Sequence, residues 1–316
     1  MDDKDIVYPT KITEHVYLGC IKSTKSAKVL NELQIRRIIT VDIEPLKYIN
    51  VDGFADLKYL YINAYDHQFE DLITKFEECL QFINEGIRSS NDKVLVHCHA
   101  GLSRSATIVI AYVMIKKKIT AQKAISYVIN KRTIVAPNYG FVKQLELFEK
   151  MNYNVISNNL EFRQFLLKHL QYKIQWSQPW NIVCQSPIDN LYQSPIDNPL
   201  RNYFRKLQKF LPKNDVQKQE KYKCKKCRLF LFKQLNVIHN LDAPKRTNCD
   251  NIFIEPQEWM LPSISQNTFG QMNCPNCLYK IGSFDWNSLN CKCDVHNDLN
   301  CLIFKIDSKK VDFHNI

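Results

Sequence analysis

The segment VLVHCHAGLSRSAT, residues 94–107, constrains this chain more than any other. Its aliphatic start predicts a buried strand, and the apolar residues that follow Ser105 predict a helix. Only five residues separate Cys98 from Arg104, and Gly101 lies in the middle of them. Glycine adopts backbone conformations that residues with a Cβ resist, so the chain can turn sharply at this point. The segment therefore predicts a strand, a tight loop and a helix in immediate succession.

A metal site is one hypothesis for three potential ligands in this segment, His97, Cys98 and His99. Neighbouring residues of an extended segment point to opposite sides, so these side chains do not converge easily on one ion. Zinc ligands are usually separated by two to four residues, which lets the backbone turn around the metal. The spacing therefore argues against a metal ion at this loop.

An anion site accounts for the same residues better. A short loop can form a cup of inward-facing backbone N–H groups, and a helix N-terminus favours negative charge. Arg104 can bind two phosphate oxygens, and the same positive field favours the thiolate of Cys98. A buried structural thiol is the alternative, but it does not explain why Gly101, Arg104 and Ser105 occur together at this spacing. We predict that Cys98 is a nucleophile that attacks a bound phosphate. The predicted phosphate-binding loop consists of His99, Ala100, Gly101, Leu102, Ser103 and Arg104.

Strand-like and helix-like patterns alternate through the first half of the chain. β-Branched or aromatic runs predict strands at residues 15–19, 36–42, 57–62 and 93–96. Apolar residues at helical spacing predict helices at residues 26–35, 70–87, 105–118, 120–132 and 138–151. Strands that alternate with helices indicate an α/β fold with a central, mostly parallel sheet flanked by helices.

The pattern H-C-x-x-G-x-x-R-S resembles the signature of cysteine-dependent protein tyrosine phosphatases, and HCHAGLSRSATIVIAYVM is similar to their dual-specificity branch. VYLG at residues 16–19 and NKRTIVAPNYGFVKQLELFE at residues 130–149 resemble the opening and closing segments of that branch. The resemblance implies that residues 8–152 form a catalytic domain with the phosphatase-like fold. It also implies phosphorylated proteins as substrates, with phosphotyrosine and phosphoserine or phosphothreonine hydrolysed without a catalytic metal.

The same resemblance implies roles for further residues. An aspartate on a loop before the cysteine protonates the leaving oxygen in this family, and Asp66, 32 positions before Cys98, is the preferred candidate. Asp71 is the competitor, but it begins the next helix, where a capping role suits it better. Asp56 lies just before a strand and suits the role poorly. Ser105 is implied to hydrogen-bond the cysteine sulfur, and we expect His97 to brace the loop backbone.

The C-terminal third is rich in cysteine. Two C-x-x-C knuckles and one C-x-C motif lie between residues 224 and 293, which is a strong zinc pattern. The predicted ligands of two structural zinc ions are Cys224, Cys227, His239, Cys249, Cys274, Cys277, Cys291 and Cys293. The economical partition assigns the first four to one ion and the last four to the other. Crossed pairing of the two knuckles stays open, as does His296 as a substitute ligand. We expect Cys301 to be a buried thiol in a strand.

The order of the motifs YKCKKCR, CDNIFIEPQEWM, CPNC, KIGSFDW and CKC resembles the zinc-binding domain of the dual-specificity phosphatase 12 family, the YVH type. This resemblance implies a second role, association with maturing large ribosomal subunits in the nucleus and cytoplasm. Residues 201–233 carry 12 basic and 2 acidic residues with interleaved aromatics, a pattern typical of RNA binding. The equally weighted alternative is a solvated basic segment whose aromatic side chains pack on the zinc domain.

The sequence therefore predicts three parts: a catalytic domain at residues 8–152, a linker at 153–220 and a small, mainly β zinc-binding domain at 221–312. The linker contains one candidate helix and a duplicated QSPIDN motif. The first ten residues, MDDKDIVYPT, lack the apolar core of a secretory signal, and no apolar run suggests a membrane span. In a reducing compartment, twelve cysteines favour metal ligands, a nucleophile and buried thiols over disulfides. We expect a monomer.

Overall fold

The computed structural model divides the chain into two compact units, Met1–Val155 and Ile156–Ile316. The residues that it describes are 7–47, 57–90, 92–176, 199–211, 221–238, 251–264, 267–287, 289 and 303–314.

The first unit alternates strands and helices, as the sequence predicted. Its strands are β1 (Thr10–Lys11), β2 (Val16–Cys20), β3 (Ile35–Asp42), β4 (Lys58–Asn63) and β5 (Lys93–Cys98). Its helices are α1 (Ala27–Glu32), α2 (Phe76–Ser90), α3 (Arg104–Lys117), α4 (Ala121–Lys131) and α5 (Tyr139–Lys150).

Five strands form one sheet in the order β1-β2-β5-β3-β4, and every pair except β1 with β2 is parallel. The predicted α/β fold with a mostly parallel sheet is therefore confirmed. The short antiparallel strand β1 was not predicted, because two residues carry too little periodicity to be recognised. The carboxyl ends of β5, β2 and β3 lie side by side, which is where ligands bind in open parallel sheets.

Helix α3 lies at the centre of this unit. Its residues from Arg104 to Met114 are all buried, and those from Ile108 to Met114 are predominantly apolar around the whole circumference of the helix. It packs against β5, α4 and α5. Its N-terminus is consequently fixed at the end of β5, and the loop between them has little freedom.

The second unit contains two antiparallel sheets and three helices among the residues that the structure describes. Its strands are β6 (Lys221–Cys224), β7 (Phe230–Lys233), β8 (Asn251–Ile254), β9 (Phe269–Asn273), β10 (Lys280–Asp285), β11 (Phe304–Asp307) and β12 (Val311–His314). Its helices are α6 (Leu160–Trp176), α7 (Pro199–Lys209) and α8 (Leu261–Ile264). The sheet orders are β8-β11-β10-β9 and β12-β6-β7.

Helices α6 and α7 belong to the second unit, whereas the sequence assigned residues 153–220 to a linker. The predicted helix in this stretch is present as α6. Its Arg163 is buried and forms an ion pair with the buried carboxylate of Glu255, which also accepts a hydrogen bond from Tyr203 of α7. These contacts join both helices to the end of β8. The duplicated QSPIDN motif lies outside the described residues.

Among the residues that the structure describes, no helix is both long and apolar enough to cross a membrane.

Candidate active site and four-cysteine cluster

The loop of residues 99–103 connects the end of β5 to the first turn of α3. The Cys98 side chain is 1 % exposed and lies inside this loop. Its Sγ accepts a hydrogen bond from the backbone N–H of Gly101 at 3.2 Å and another from the Ser105 hydroxyl at 3.1 Å. Both donors stabilise a negative charge on the sulfur. The geometry thus brings together the predicted nucleophile and the serine that was predicted to assist it.

Three carbonyl groups of the loop accept hydrogen bonds from residues outside it. The N–H of Ile21 donates to His99 O, Arg132 Nε donates to Gly101 O, and the N–H of Ala136 donates to Leu102 O. In a trans peptide the N–H group points away from the carbonyl. The N–H groups that follow these three carbonyls therefore point to the inner side of the loop, as an anion site requires.

Gly101 is required at the turn for two reasons. Its φ angle is +72°, in the left-handed region that residues with a Cβ rarely adopt. A Cβ at this position would also lie 2.4 Å from the carbonyl oxygen of Gly19. Any other residue would have to push the loop away from β2 and would disturb the N–H group that faces Cys98.

Arg104 is buried at the start of α3, and one edge of its guanidinium already donates hydrogen bonds within the protein. Its Nη1 donates to Asp42 Oδ1 at 2.6 Å and to Ala64 O at 3.2 Å. Its Nε is buried and has no hydrogen-bond partner among the described residues. The Nε side thus remains available for an anion, and a guanidinium can bind two oxygens of a phosphate through Nε and Nη2.

Asp42 is a site residue that the sequence analysis missed. It ends β3, is 6 % exposed and lies 62 residues before Arg104, so no local motif contains both. The only available signal was an acidic residue at the carboxyl end of a predicted parallel strand, where site residues gather. Its carboxylate holds the guanidinium in place and compensates its charge in the buried site.

Asp66 lies on the loop after β4, with 39 % of its side chain exposed. Its Oδ1 accepts hydrogen bonds from Ser103 Oγ at 2.7 Å and from Asn138 Nδ2 at 2.8 Å. Its Oδ2 lies 3.9 Å from Arg104 Nε. The carboxyl group therefore faces the open side of the guanidinium, beside the loop that contains Cys98.

Asp71, the competing candidate, is buried and accepts hydrogen bonds from the backbone N–H and the hydroxyl of Thr74, at 3.1 and 2.6 Å. This is the capping role that the sequence favoured for it. Asp56 lies outside the described residues. The loop that carries Asp66 packs closely on α5, because a Cβ at Gly140 would lie 1.7 Å from Gln68 O.

His97 is fully buried behind the loop. Its Nε2 lies 2.6 Å from Thr40 Oγ1, and its Nδ1 lies 3.4 Å from the carbonyl oxygen of Cys98. Burial lowers the pKa of His97 to about 4, so the ring is neutral at physiological pH. Its two contacts tie the end of β5 to β3 and to the loop backbone. The side chain of His99, by contrast, is exposed at the edge of the loop.

The second unit brings together Cys224, Cys227, Cys274 and Cys277, whose four Sγ atoms all lie within 4.8 Å of one another. The Cys224–Cys277 and Cys227–Cys274 sulfur pairs are 3.7 and 3.5 Å apart. Sulfur ligands about 2.3 Å from a tetrahedral ion lie about 3.8 Å from one another, so this cluster can hold a metal ion. Within the cluster, a hydrogen bond from the backbone N–H of Leu229 lowers the pKa of Cys227, whereas burial raises the pKa of Cys274.

The sequence favoured a partition in which each C-x-x-C knuckle contributes to a different ion, and this was wrong. The two knuckles instead contribute two cysteines each to one cluster, which is the crossed pairing that the sequence left open. Each knuckle follows a strand, and in each the backbone turns through a left-handed residue, Arg228 in one and Leu278 in the other. The two hairpins therefore present equivalent cysteine pairs, which face each other. The other predicted ligands lie outside the described residues, namely His239, Cys249, Cys291 and Cys293, as do His296 and Cys301.

Several aromatic side chains of the basic segment 201–233 are buried and unavailable for stacking on bases, although Phe230 is 43 % exposed. Tyr203, Phe210 and Tyr222 are each less than 8 % exposed and pack within the second unit. Tyr222 stacks on Phe232 with ring centroids 4.6 Å apart. Of the two interpretations left open, the packing of aromatic side chains on the zinc-binding unit is favoured at these positions.

Comparison with known proteins agrees with this geometry. A family model described as the dual specificity phosphatase catalytic domain matches residues 16–151. Dual specificity protein phosphatase 12 of Mus musculus is 30 % identical over 90 % of this chain and 84 % of its own length. Tyrosine-protein phosphatase YVH1 of Saccharomyces cerevisiae is 28 % identical over 90 % of this chain and 86 % of its own length.

Among solved structures, the Yvh1 phosphatase domain from Chaetomium thermophilum is 28 % identical, covers 46 % of this chain and 96 % of its own, and has a TM-score of 0.42. The family model contains the whole Cys98 loop, and the similarity to the mouse relative extends over most of both chains. The chain therefore belongs to the dual specificity protein phosphatase 12 family and is a dual-specificity protein-tyrosine phosphatase.

Proposed function

We propose that the first unit hydrolyses phosphate monoesters on tyrosine and on serine or threonine of proteins through a phosphocysteine intermediate. The observation that carries the proposal is the pair of hydrogen bonds from Gly101 and Ser105 to the Cys98 sulfur, inside a loop whose N–H groups face inward. A thiolate held in this way is a nucleophile already placed in an anion site.

In the first step, Cys98 attacks phosphorus in line with the departing oxygen. The loop N–H groups and the Nε side of Arg104 bind the non-bridging oxygens while charge shifts between them. Asp66 protonates the leaving oxygen. Its Oδ1 already accepts two hydrogen bonds, so the transferable proton is placed on Oδ2, the oxygen nearer to Arg104.

In the second step, Asp66 removes a proton from water, and the water attacks the phosphocysteine. The Ser105 hydroxyl stabilises the departing sulfur through its existing hydrogen bond. Both steps use side chains and backbone groups of this unit, and no metal ion takes part in the proposed catalysis.

The proposal is tested with the full chain and para-nitrophenyl phosphate in the presence of a chelator. Rapid quenching with a radioactive phosphoprotein substrate should trap label on the peptide that contains Cys98. Asp66→Asn should slow release of the leaving group, and Cys98→Ser should abolish both labelling and turnover. Turnover by Cys98→Ser equal to that of the wild type would exclude the mechanism.

We propose further that zinc is the metal of the second unit, with one ion held by Cys224, Cys227, Cys274 and Cys277. A site with four cysteine ligands has no open position, so the ion is structural. A second zinc ion is proposed for the predicted ligands outside the described residues. Metal analysis of the purified chain distinguishes one bound ion from two.

A second candidate function is assembly of the large ribosomal subunit, in the nucleus and cytoplasm. It is supported by the basic residues of α7 and of the first knuckle, which belong to the same unit as the metal cluster. Replacing Cys224 should impair ribosome maturation in cells, whereas Cys98→Ser should support it. The opposite result would exclude this function.

A further inference from the structure

The mouth of the Cys98 site is bordered by exposed apolar side chains. The described residues of the first unit include seven large hydrophobic side chains that are exposed, and five of them lie within three residues of a group whose hydrogen bonds build the site. These five are Ile43, Tyr65, Phe69, Ile134 and Tyr139. Scattered exposed hydrophobic residues are ordinary, whereas a concentration of them in one place marks an interaction surface.

Two of these side chains follow neighbouring strand ends next to Arg104. Strand β3 ends at Asp42 and β4 at Asn63, and the register pairs these two residues. Ile43 follows Asp42 directly and Tyr65 follows Asn63 by two residues, with side chains 50 and 54 % exposed. Arg104 donates hydrogen bonds to the Asp42 carboxylate and to the carbonyl oxygen that precedes Tyr65. Ile43 and Tyr65 therefore border the mouth on the side of the guanidinium.

A third side chain, Tyr139, borders the mouth beside the predicted acid. Asn138 caps the N-terminus of α5 and donates a hydrogen bond to Asp66, which brings the next residue, Tyr139, close to that carboxylate. The Tyr139 side chain is 69 % exposed, and Lys143 Nζ lies 5.5 Å from the centre of its ring. The start of α5 thus presents an aromatic ring next to the acid.

A fourth side chain, Ile134, borders the catalytic loop itself. Arg132 Nε donates to Gly101 O, and the N–H of Ala136 donates to Leu102 O. Ile134 lies midway between these two anchors and is 54 % exposed. The name apolar rim is used below for Ile43, Tyr65, Ile134 and Tyr139.

Two pairs of charged side chains lie beside the apolar rim. Lys47 Nζ is 3.1 Å from Glu44 Oε2, and Lys143 Nζ is 2.8 Å from Glu146 Oε2. Because each pair combines opposite charges at the surface, neither pair favours an acidic over a basic partner. At these positions the mouth offers apolar area rather than net charge.

We propose that the apolar rim selects phosphorylated protein segments that carry large apolar side chains next to the phosphorylated residue. The inference rests on the proposed function, because the flanking residues reach the rim only when the phosphate occupies the Cys98 loop. Successive residues of an extended segment lie about 3.3 Å apart, so the neighbours of the phosphorylated residue remain close to the mouth. Contact between their apolar side chains and the rim removes both from water, which stabilises the complex.

This contact has a kinetic signature. The flanking residues do not change during the reaction, so the rim binds them equally in the ground state and in the transition state. Uniform binding of this kind lowers KM and leaves kcat unchanged. Because para-nitrophenyl phosphate has no flanking residues, its hydrolysis reports on the catalytic groups.

The test uses the full chain and three phosphotyrosine peptides of equal length, in which both neighbours of the phosphotyrosine are leucine, serine or glutamate. Values of kcat/KM are measured for each peptide and for para-nitrophenyl phosphate on the same preparation. The double variant Ile134→Ser, Tyr139→Ser removes half of the rim. The matched control is Phe269→Ser, because Phe269 is 71 % exposed but belongs to the second unit. Binding of the same peptides to Cys98→Ser, measured by fluorescence anisotropy, gives the preference without turnover.

We expect kcat/KM of the wild type to be at least about tenfold higher for the leucine peptide than for the serine peptide, through a lower KM. The glutamate peptide should not exceed the serine peptide, and Cys98→Ser should show the same order of affinities. The double variant should reduce the leucine-to-serine ratio to about threefold or less, whereas Phe269→Ser should keep it.

Three results would overturn the proposal: equal kcat/KM and affinity for the leucine and serine peptides, a higher value for the glutamate peptide, or the full leucine preference in the double variant. Failure of the proposed function has a different appearance. In that case the wild type hydrolyses neither the peptides nor para-nitrophenyl phosphate, and the affinities of Cys98→Ser still decide whether the rim selects apolar neighbours.

Discussion

Two cysteine sites, one in each compact unit, are assembled in different ways. The Cys98 site is local, because its sulfur is bound by donors three and seven residues further along the chain. The cluster joins two knuckles whose contacting cysteines are 47 and 53 residues apart. The sulfur of Cys98 and its two donors need only a strand, a turn and a helix, whereas the cluster needs two hairpins to meet.

The two sites also differ in how they accommodate negative charge. The single sulfur of Cys98 accepts hydrogen bonds from the N–H of Gly101 and the hydroxyl of Ser105. Four thiolates within 4.8 Å of one another would repel, so a cation among them would stabilise the cluster. We therefore expect the same side chain to serve as a nucleophile in one environment and as a metal ligand in the other.

The strongest test of this contrast compares a cysteine-to-serine substitution in each of the two sites. Cys98→Ser should lower the rate of aryl phosphate hydrolysis at least about 1,000-fold, because serine is the weaker nucleophile, and should leave the bound metal unchanged. Cys224→Ser should lose the metal of the cluster, while hydrolysis stays within about twofold of the wild type. Metal analysis and steady-state kinetics on the same preparations decide the matter. If Cys224→Ser loses activity as completely as Cys98→Ser, the two sites are not independent.

The second test compares two aspartates of the first unit: Asp66, which faces Arg104, and Asp71, which caps Thr74. Asp66→Asn should lower kcat about 100- to 10,000-fold, because the leaving oxygen loses its proton donor. The matched control Asp71→Asn should keep kcat but lower the free energy of unfolding by about 1 kcal/mol, because it weakens the cap on Thr74. A normal kcat for Asp66→Asn would return Asp71 to consideration as the acid.

The buried His97 makes the stability of the first unit depend on pH. Its pKa is about 4 in the folded chain and about 6.5 when unfolded, so only the unfolded chain binds a proton between these values. Stability should therefore be complete above about pH 6.5 and decrease by up to about 3 kcal/mol as the pH falls toward 4.

Urea titrations of the wild type and His97→Asn, between about pH 7.5 and 4.5, measure this dependence. The variant should show a smaller decrease with falling pH. The exposed neighbour provides the control, since His99→Asn should behave as the wild type. Equal pH dependence in His97→Asn and the wild type would contradict the assignment.

The smallest expected effect concerns the ion pair behind the loop. Asp42→Asn keeps an acceptor near Arg104 but removes its charge, so the guanidinium is held less firmly. We expect about 10- to 100-fold weaker inhibition by vanadate, which binds in the phosphate site. Asp92→Asn removes the charge of one partner of buried Arg37 elsewhere in the unit and should lower stability alone. Unchanged vanadate inhibition in Asp42→Asn would assign that residue a purely structural role.

Much of the fold could be predicted because its signals are periodic. The buried strands β3 and β5 and the helices α3 and α5 each show a continuous apolar run or a helical repeat. The two-residue strand β1 and the helix α7 escaped prediction. Strand β1 is too short for a pattern, and the charged residues of α7 suggested a solvated segment.

The sequence by itself determined the Cys98 loop, because a strand, five residues and a helix leave Cys98, Gly101 and Arg104 few ways to be arranged. Tertiary structure alone decided that Asp42 holds Arg104 and that Asp66 shares an oxygen between Ser103 and Asn138. It also decided which cysteines of the knuckles meet. Residues distant along the chain are brought together by sheet order and register, and no local pattern of residues encodes which distant hairpins face each other.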